Sequence, residues 1–154
     1  MKARWGIIVL ALLSASAFAL SVQGGRWWSV MNVEIGPFGS RRCFGNECGP
    51  AGLGWIGAGE GWSRLGMATW AAALVSMAVL VVLAAALAAK RVPRMVAKVA
   101  LSAIATATLV GALFASKFPG VDGAGVDRGL PLYGVAIALG VAASILTLRM
   151  RPPA

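Results

Sequence analysis

Residues 24–62 read GGRWWSVMNVEIGPFGSRRCFGNECGPAGLGWIGAGEGW, the one long stretch of the chain too polar and too glycine-rich to lie in a membrane. It holds both cysteines, four of the six tryptophans and three of the five acidic residues. One apolar run precedes it and three follow. Read outward from this stretch, the fold is an all-α membrane protein: a four-helix transmembrane bundle with a small extracytoplasmic β-hairpin or β-sheet loop between its first two helices.

Inside the loop, Met31, Val33 and Ile35 alternate with Asn32 and Glu34, the period of two that suits a half-buried strand. Gly36-Pro37 ends it. Gly45-Asn46 is a two-residue hairpin signal, because glycine supplies the positive φ required at the first central position of a type II′ turn. With that turn, Phe44 and Glu47 close the hairpin, and Cys43 and Cys48 face each other as a non-hydrogen-bonded pair with Cα atoms about 4.5 Å apart. That separation falls within a disulfide's range of roughly 4.4–6.8 Å. A disulfide is therefore the favoured reading over two free thiols. Two thiolates in a chain without histidine make an incomplete zinc site. Residues 49–62 carry six glycines and read as coil. Trp27, Trp28, Trp55 and Trp62 bracket the loop near its membrane ends, where tryptophan forms an interfacial belt; a recognition surface is the alternative.

The 154 residues are 59% hydrophobic and 12% charged, against about 25% charged in soluble domains. The net charge of +9 does not point to nucleic acid, because the basic residues flank the apolar runs. Lys2 and Arg4 precede the first run, Lys90, Arg91, Arg94 and Lys98 separate the second from the third, and Arg149 and Arg151 follow the last. The spans are drawn at 5–23, 65–89, 99–116 and 130–148. They leave an external loop 24–64, a cytoplasmic link 90–98 and an external link 117–129. Positive charge orients such proteins, so both termini are expected in the cytoplasm of a bacterial inner (plasma) membrane, with residues 24–64 outside. An external loop also favours an oxidised cysteine pair.

The first run also fits a secretory signal: a basic start, an apolar centre and Ala17-Phe18-Ala19 as an A-x-A cleavage site. Retention as a spanning helix is the favoured reading. Small residues recur at four-residue spacing: Ala11/Ala15/Ala19, Ser102/Thr106, Ala103/Ala107, Gly111/Ala115 and Ala136/Gly140/Ser144. Such stripes let helix backbones approach closely, within one bundle or between subunits.

The spans carry no Asp, Glu, Lys, Arg or His, the groups on which proton relays and coupled transporters depend. Without histidine there is no Ser-His-Asp arrangement and no histidine base. Asp122-Gly-Ala-Gly-Val-Asp127 lacks the ligand spacing of a calcium loop and reads as a solvated turn. One Cys-x₄-Cys pair with no second pair gives little basis for thiol relay. No catalytic residue, cofactor or metal is expected.

The order of features resembles the claudin and peripheral-myelin-protein-like tetraspan superfamily. Trp28, then Gly36 with Phe38, then Cys43 and Cys48, and Arg64 just before the second span fall in that family's order. Gly-Pro-Phe stands here for the family's Gly-Leu-Trp, the cysteines are closer together, and the loop has room for two or three strands. The resemblance implies a non-enzymatic role in adhesion, barrier formation or scaffolding. The expected function is accordingly that of a membrane scaffold, adhesion or accessory protein acting through its pinned loop. A small transporter or channel, or a membrane thiol oxidoreductase, is the alternative. Phe38, Arg41, Arg42 and Phe44 are the expected partner surface, and the expected partners are the lipid bilayer and either a second copy or another membrane protein.

Overall fold

Four helices long and apolar enough to cross a membrane make up most of the chain. The computed structural model describes residues 2–23, 26–52, 56–57 and 59–150. Helix α1 spans Lys2–Val22, α2 Glu60–Ala88, α3 Arg94–Ser116 and α4 Gly129–Arg149. α3 and α4 cover their expected spans, α1 and α2 stop one residue short of theirs, and α2 and α3 begin five residues earlier than their uncharged runs. The apolar run marks what lipid would tolerate, whereas backbone hydrogen bonding continues into charged sequence. At α2 the extension is stabilised by Glu60, which complements the helix dipole and pairs with Arg64 at 2.9 Å, one turn on.

The helices pack in the cycle α1–α2–α3–α4, with α4 closing against α1. Small residues set the spacing. A Cβ on Gly140 would stand 2.7 Å from Ser14 Oγ, 2.8 Å from Ile104 Cδ1 and 3.4 Å from Leu80 Cδ1, so all four helices converge at that one position. A Cβ on Gly111 would meet the Tyr133 ring at 2.7 Å. Ala11, Ala15, Ala107, Ala136 and Ser144 are likewise buried, which places most of the small-residue stripes inside the bundle. Ser102 and Thr106 are the exposed exception.

Buried hydroxyls in the helices bond backbone carbonyls. Ser14 donates to Ala136 O at 2.6 Å, across the α1–α4 contact. Thr69, Ser76, Ser144 and Thr147 bond the carbonyl one turn back in their own helices, the arrangement that satisfies a hydroxyl without water.

At one end of the bundle lies a five-stranded antiparallel sheet, ordered β4-β3-β2-β1-β5. Its strands are β1 (Trp28–Val30), β2 (Val33–Gly36), β3 (Gly39–Phe44), β4 (Glu47–Pro50) and β5 (Gly125–Val126). The first four come from the loop between α1 and α2, and β5 comes from the link between α3 and α4. At the opposite end, Arg4, Trp5, Leu87, Lys90 and Met150 line a cavity of about 330 Å³, so the chain's basic segments gather away from the sheet.

The sheet corrects three expectations. The strand expected over 31–35 is broken: Met31 and Asn32 form a turn, with Met31 at φ 47° and 96% exposed. Trp28 and Val30 are held in the core and Val30 pairs with Val33, so the chain must reverse between them in two residues. That demand overrides the alternation. Residues 49–50 belong to β4 and residues 60–62 to α2, so the expected coil is shorter. The link 117–129 contributes β5, where Gly125 pairs with Ser29 and Val126 with Trp28.

Candidate functional site

The seam between sheet and bundle is built of aromatic rings. Trp27, just before β1, is fully buried, with its ring 4.9 Å from Tyr133 of α4 and 5.5 Å from Phe114 of α3. Trp28 stacks on Phe118 at 4.2 Å, and Trp62 of α2 stacks on Phe114 at 4.5 Å. Phe18 of α1 meets Tyr133 edge-on at 5.4 Å. All four helices and β1 therefore contribute to one cluster. Three of its polar groups bond backbone carbonyls: Trp27 Nε1 donates to Ser21 O at 2.9 Å, Trp62 Nε1 to Phe114 O at 3.0 Å and the Tyr133 hydroxyl to Ala107 O at 2.8 Å.

This cluster corrects the interfacial-belt reading for Trp27, Trp28 and Trp62. A belt tryptophan faces headgroups, whereas these three are buried against other protein rings, two of them with the indole N–H bonded to a backbone carbonyl. Adjacent tryptophans at the end of a spanning helix carry the same sequence signal in either role, and only the partners decide. Trp55 lies outside the described residues. Trp5, at the other end of the bundle, is 64% exposed.

On this base the sheet is held firmly. Arg26 Nε pairs with Glu34 Oε1 at 2.8 Å, tying the entry of the loop to β2. The turn between β2 and β3 rests on α2, where the Pro37 carbonyl sits so close to Gly66 that a side chain there would collide with it. The β3–β4 hairpin has the expected register: Phe44 faces Glu47 and Cys43 faces Cys48. Gly45 has φ 60°, the positive value that a type II′ turn requires. Cys43 and Cys48 are bridged, with Cα atoms 4.1 Å apart. β4 forms one edge of the sheet, and all four of its residues are exposed.

Phe38, Arg41, Arg42 and Phe44 do not form one surface. Neighbours along a strand point to opposite faces, so Arg41 and Arg42 part company. Arg42 and Phe44 line a shallow cavity of about 590 Å³ over the hairpin, with Glu47, Gly49 and Pro50. Arg41 and Phe38 line a second cavity of about 520 Å³, together with Val22 and Gln23 at the end of α1 and Trp70 of α2. A third, of about 320 Å³, lies beside Glu34, Asn32 and Asp127. Sequence reading missed Trp70, Phe114, Phe118 and Tyr133 as members of these assemblies. Each sits in or beside an apolar run, where one more aromatic carries no distinguishing pattern.

Among the described residues, no group of three or more His, Cys, Asp or Glu side chains is placed to hold a metal ion. Compared with protein-family models, with curated proteins and with solved structures, the chain matches none.

Proposed function

We propose that this chain is a non-enzymatic integral membrane protein, a claudin-like tetraspan scaffold, adhesion or accessory protein that acts through the sheet end of the molecule. The observation that carries the reading is the β3–β4 hairpin. It is cross-linked by Cys43–Cys48, anchored through β2 to the aromatic seam, and exposed along β4. Phe44 is 66% exposed and shares a face with Arg42. A rigid hairpin presenting arginine and an aromatic ring loses little conformational entropy on binding, and those side chains commonly dominate interface energy.

The claudin-like likeness is part of the proposal. It draws support from the order of Trp28, Gly36, Phe38, Cys43, Cys48 and Arg64, and from a sheet of five strands, four of them supplied by the loop that was expected to hold two or three. The orientation with basic segments in the cytoplasm is also proposed; their gathering at the end away from the sheet supports it. A transporter or thiol-relay role draws less support, because the buried hydroxyls of the bundle are bonded to backbone carbonyls and do not face a shared polar path.

The test is crosslinking in native membranes. Changing Arg42 and Phe44 together to alanine should leave insertion intact and lower self-association or partner capture several-fold. Association that survives this pair, but is lost when Ser102 and Thr106 on the exposed face of α3 become leucine, would place the interface between helices and refute the hairpin. Gly111 and Gly140 cannot serve in that comparison, since leucine at either would disrupt the bundle itself.

A further inference from the structure

The second cavity lies at a different level from the hairpin surface. The turn carrying Pro37 and Phe38 descends along α2. The Pro37 carbonyl abuts Gly66, and the Phe38 ring lies 5.1 Å from Trp70, one helical turn further on. Trp70 stands ten residues into α2 from Glu60, about 15 Å along the axis. The opposite wall is Val22 and Gln23, where α1 ends. The lower half of the cleft is therefore made by the end of α1 and by α2 about three turns from its start, and the upper half by Arg41 and Pro50 of the sheet.

The side chains sort by height in the same sense. Phe38, 64% exposed, and Trp70 form an apolar floor. Arg41 at the rim is a cation without a carboxylate: the ion pairs among the described residues are Arg26–Glu34 and Glu60–Arg64. Glu34, directly across the ladder from Arg41, is engaged by Arg26 instead. A cation at the water side, with an exposed Phe38 ring and a half-buried Trp70 ring on the lipid side, complements an amphiphile with an anionic head and an apolar tail. A water-soluble anion would leave the rings uncovered, and a protein partner would have to enter the bilayer to reach Trp70.

We propose that this cleft holds one phospholipid from the leaflet on the sheet side, its phosphate on the Arg41 guanidinium and one acyl chain along Phe38 and Trp70. Arginine matches phosphate geometry with paired N–H donors. The volume of about 520 Å³ lies within the range of ordinary small-molecule sites. The site rests on the helices being membrane spans, and is independent of the hairpin as a partner surface.

The full chain, extracted in mild detergent doped with phosphatidylglycerol or phosphatidylcholine, is measured by native mass spectrometry. One retained phospholipid per chain is expected. Arg41→Gln should weaken retention about tenfold or more, since a charge-assisted bond is lost, and Trp70→Ala should weaken it several-fold. Arg42→Gln, the same change in charge on the other face, should leave it unchanged. Arg41→Lys, with thermal unfolding to confirm the fold, should retain part of the binding. Equal losses from Arg41→Gln and Arg42→Gln would show general attraction to charge and overturn the site, as would retention that neither Arg41→Gln nor Trp70→Ala alters. Displacement by free glycerophosphate would also overturn it, because a headgroup alone would then suffice. A chain that stays soluble and folded without detergent would instead refute the membrane reading beneath it.

Discussion

At the residue scale, burial separates tryptophans that look alike in sequence. Trp62 stacks on Phe114 and donates its N–H to the Phe114 carbonyl, whereas Trp5 lies largely exposed at the far end of the bundle. Trp62→Ala removes a buried ring and leaves a cavity where α2, α3 and the sheet meet. The expected loss is about 3–5 kcal/mol, read from unfolding in mixed micelles of rising dodecyl sulfate fraction. Trp5→Ala should fall within roughly 0.5 kcal/mol of the parent chain. Equal losses at the two positions would mean that the aromatic seam does not hold sheet to bundle. The belt reading failed here because an indole beside an apolar run is equally suited to headgroups and to protein.

At the element scale, helix ends and strand partners carry the detail that composition hides. α2 stops at Ala88 with Lys90 at φ 60°, the Lys90 N–H bonding Leu87 O and the Arg91 N–H bonding Ala86 O. That is a Schellman termination with lysine at the left-handed position where glycine is usual. Lys90→Gly relieves the steric cost and should raise stability by up to about 1 kcal/mol. A lower unfolding midpoint would instead assign the lysine charge, at the negative end of the helix dipole, the larger effect. The two-residue β5 shows the opposite limit of legibility. Gly125-Val126 is too short to show alternation, and it is a strand only because β1 offers it a free edge.

At the scale of the whole molecule, α1 is part of the bundle's interior. Phe18, Ala11 and Ser14 are fully buried, and Ser14 bonds the Ala136 carbonyl of α4. Cleavage after Ala19 would uncover the faces of α2 and α4 that α1 covers and break that bond. The mature protein is therefore expected to retain α1, and N-terminal sequencing of membrane-extracted protein should find no chain starting at Leu20. A start at Leu20 would leave three spans and overturn this arrangement. The stripe Ala136/Gly140/Ser144 follows the same logic: its spacing announces close packing, and the structure directs it inward, where α1, α2 and α3 converge on Gly140.

The number and place of the apolar runs, the Gly45-Asn46 turn and the facing of Cys43 by Cys48 followed from sequence alone. Each depends on residues a few positions apart, so local periodicity and turn chemistry suffice to specify them. The partition of Arg41 from Arg42, the burial of Trp27, Trp28 and Trp62, and the pairing of β5 with β1 came only with the tertiary structure. They are settled by contacts between segments far apart in the chain, such as Trp28 with Phe118 and Ser29 with Gly125. A strand's alternation separates two arginines onto opposite faces, but which face meets the helices depends on where the aromatic seam seats the whole sheet. That seat is a packing solution shared by four helices and one strand, and no single stretch of the sequence contains it.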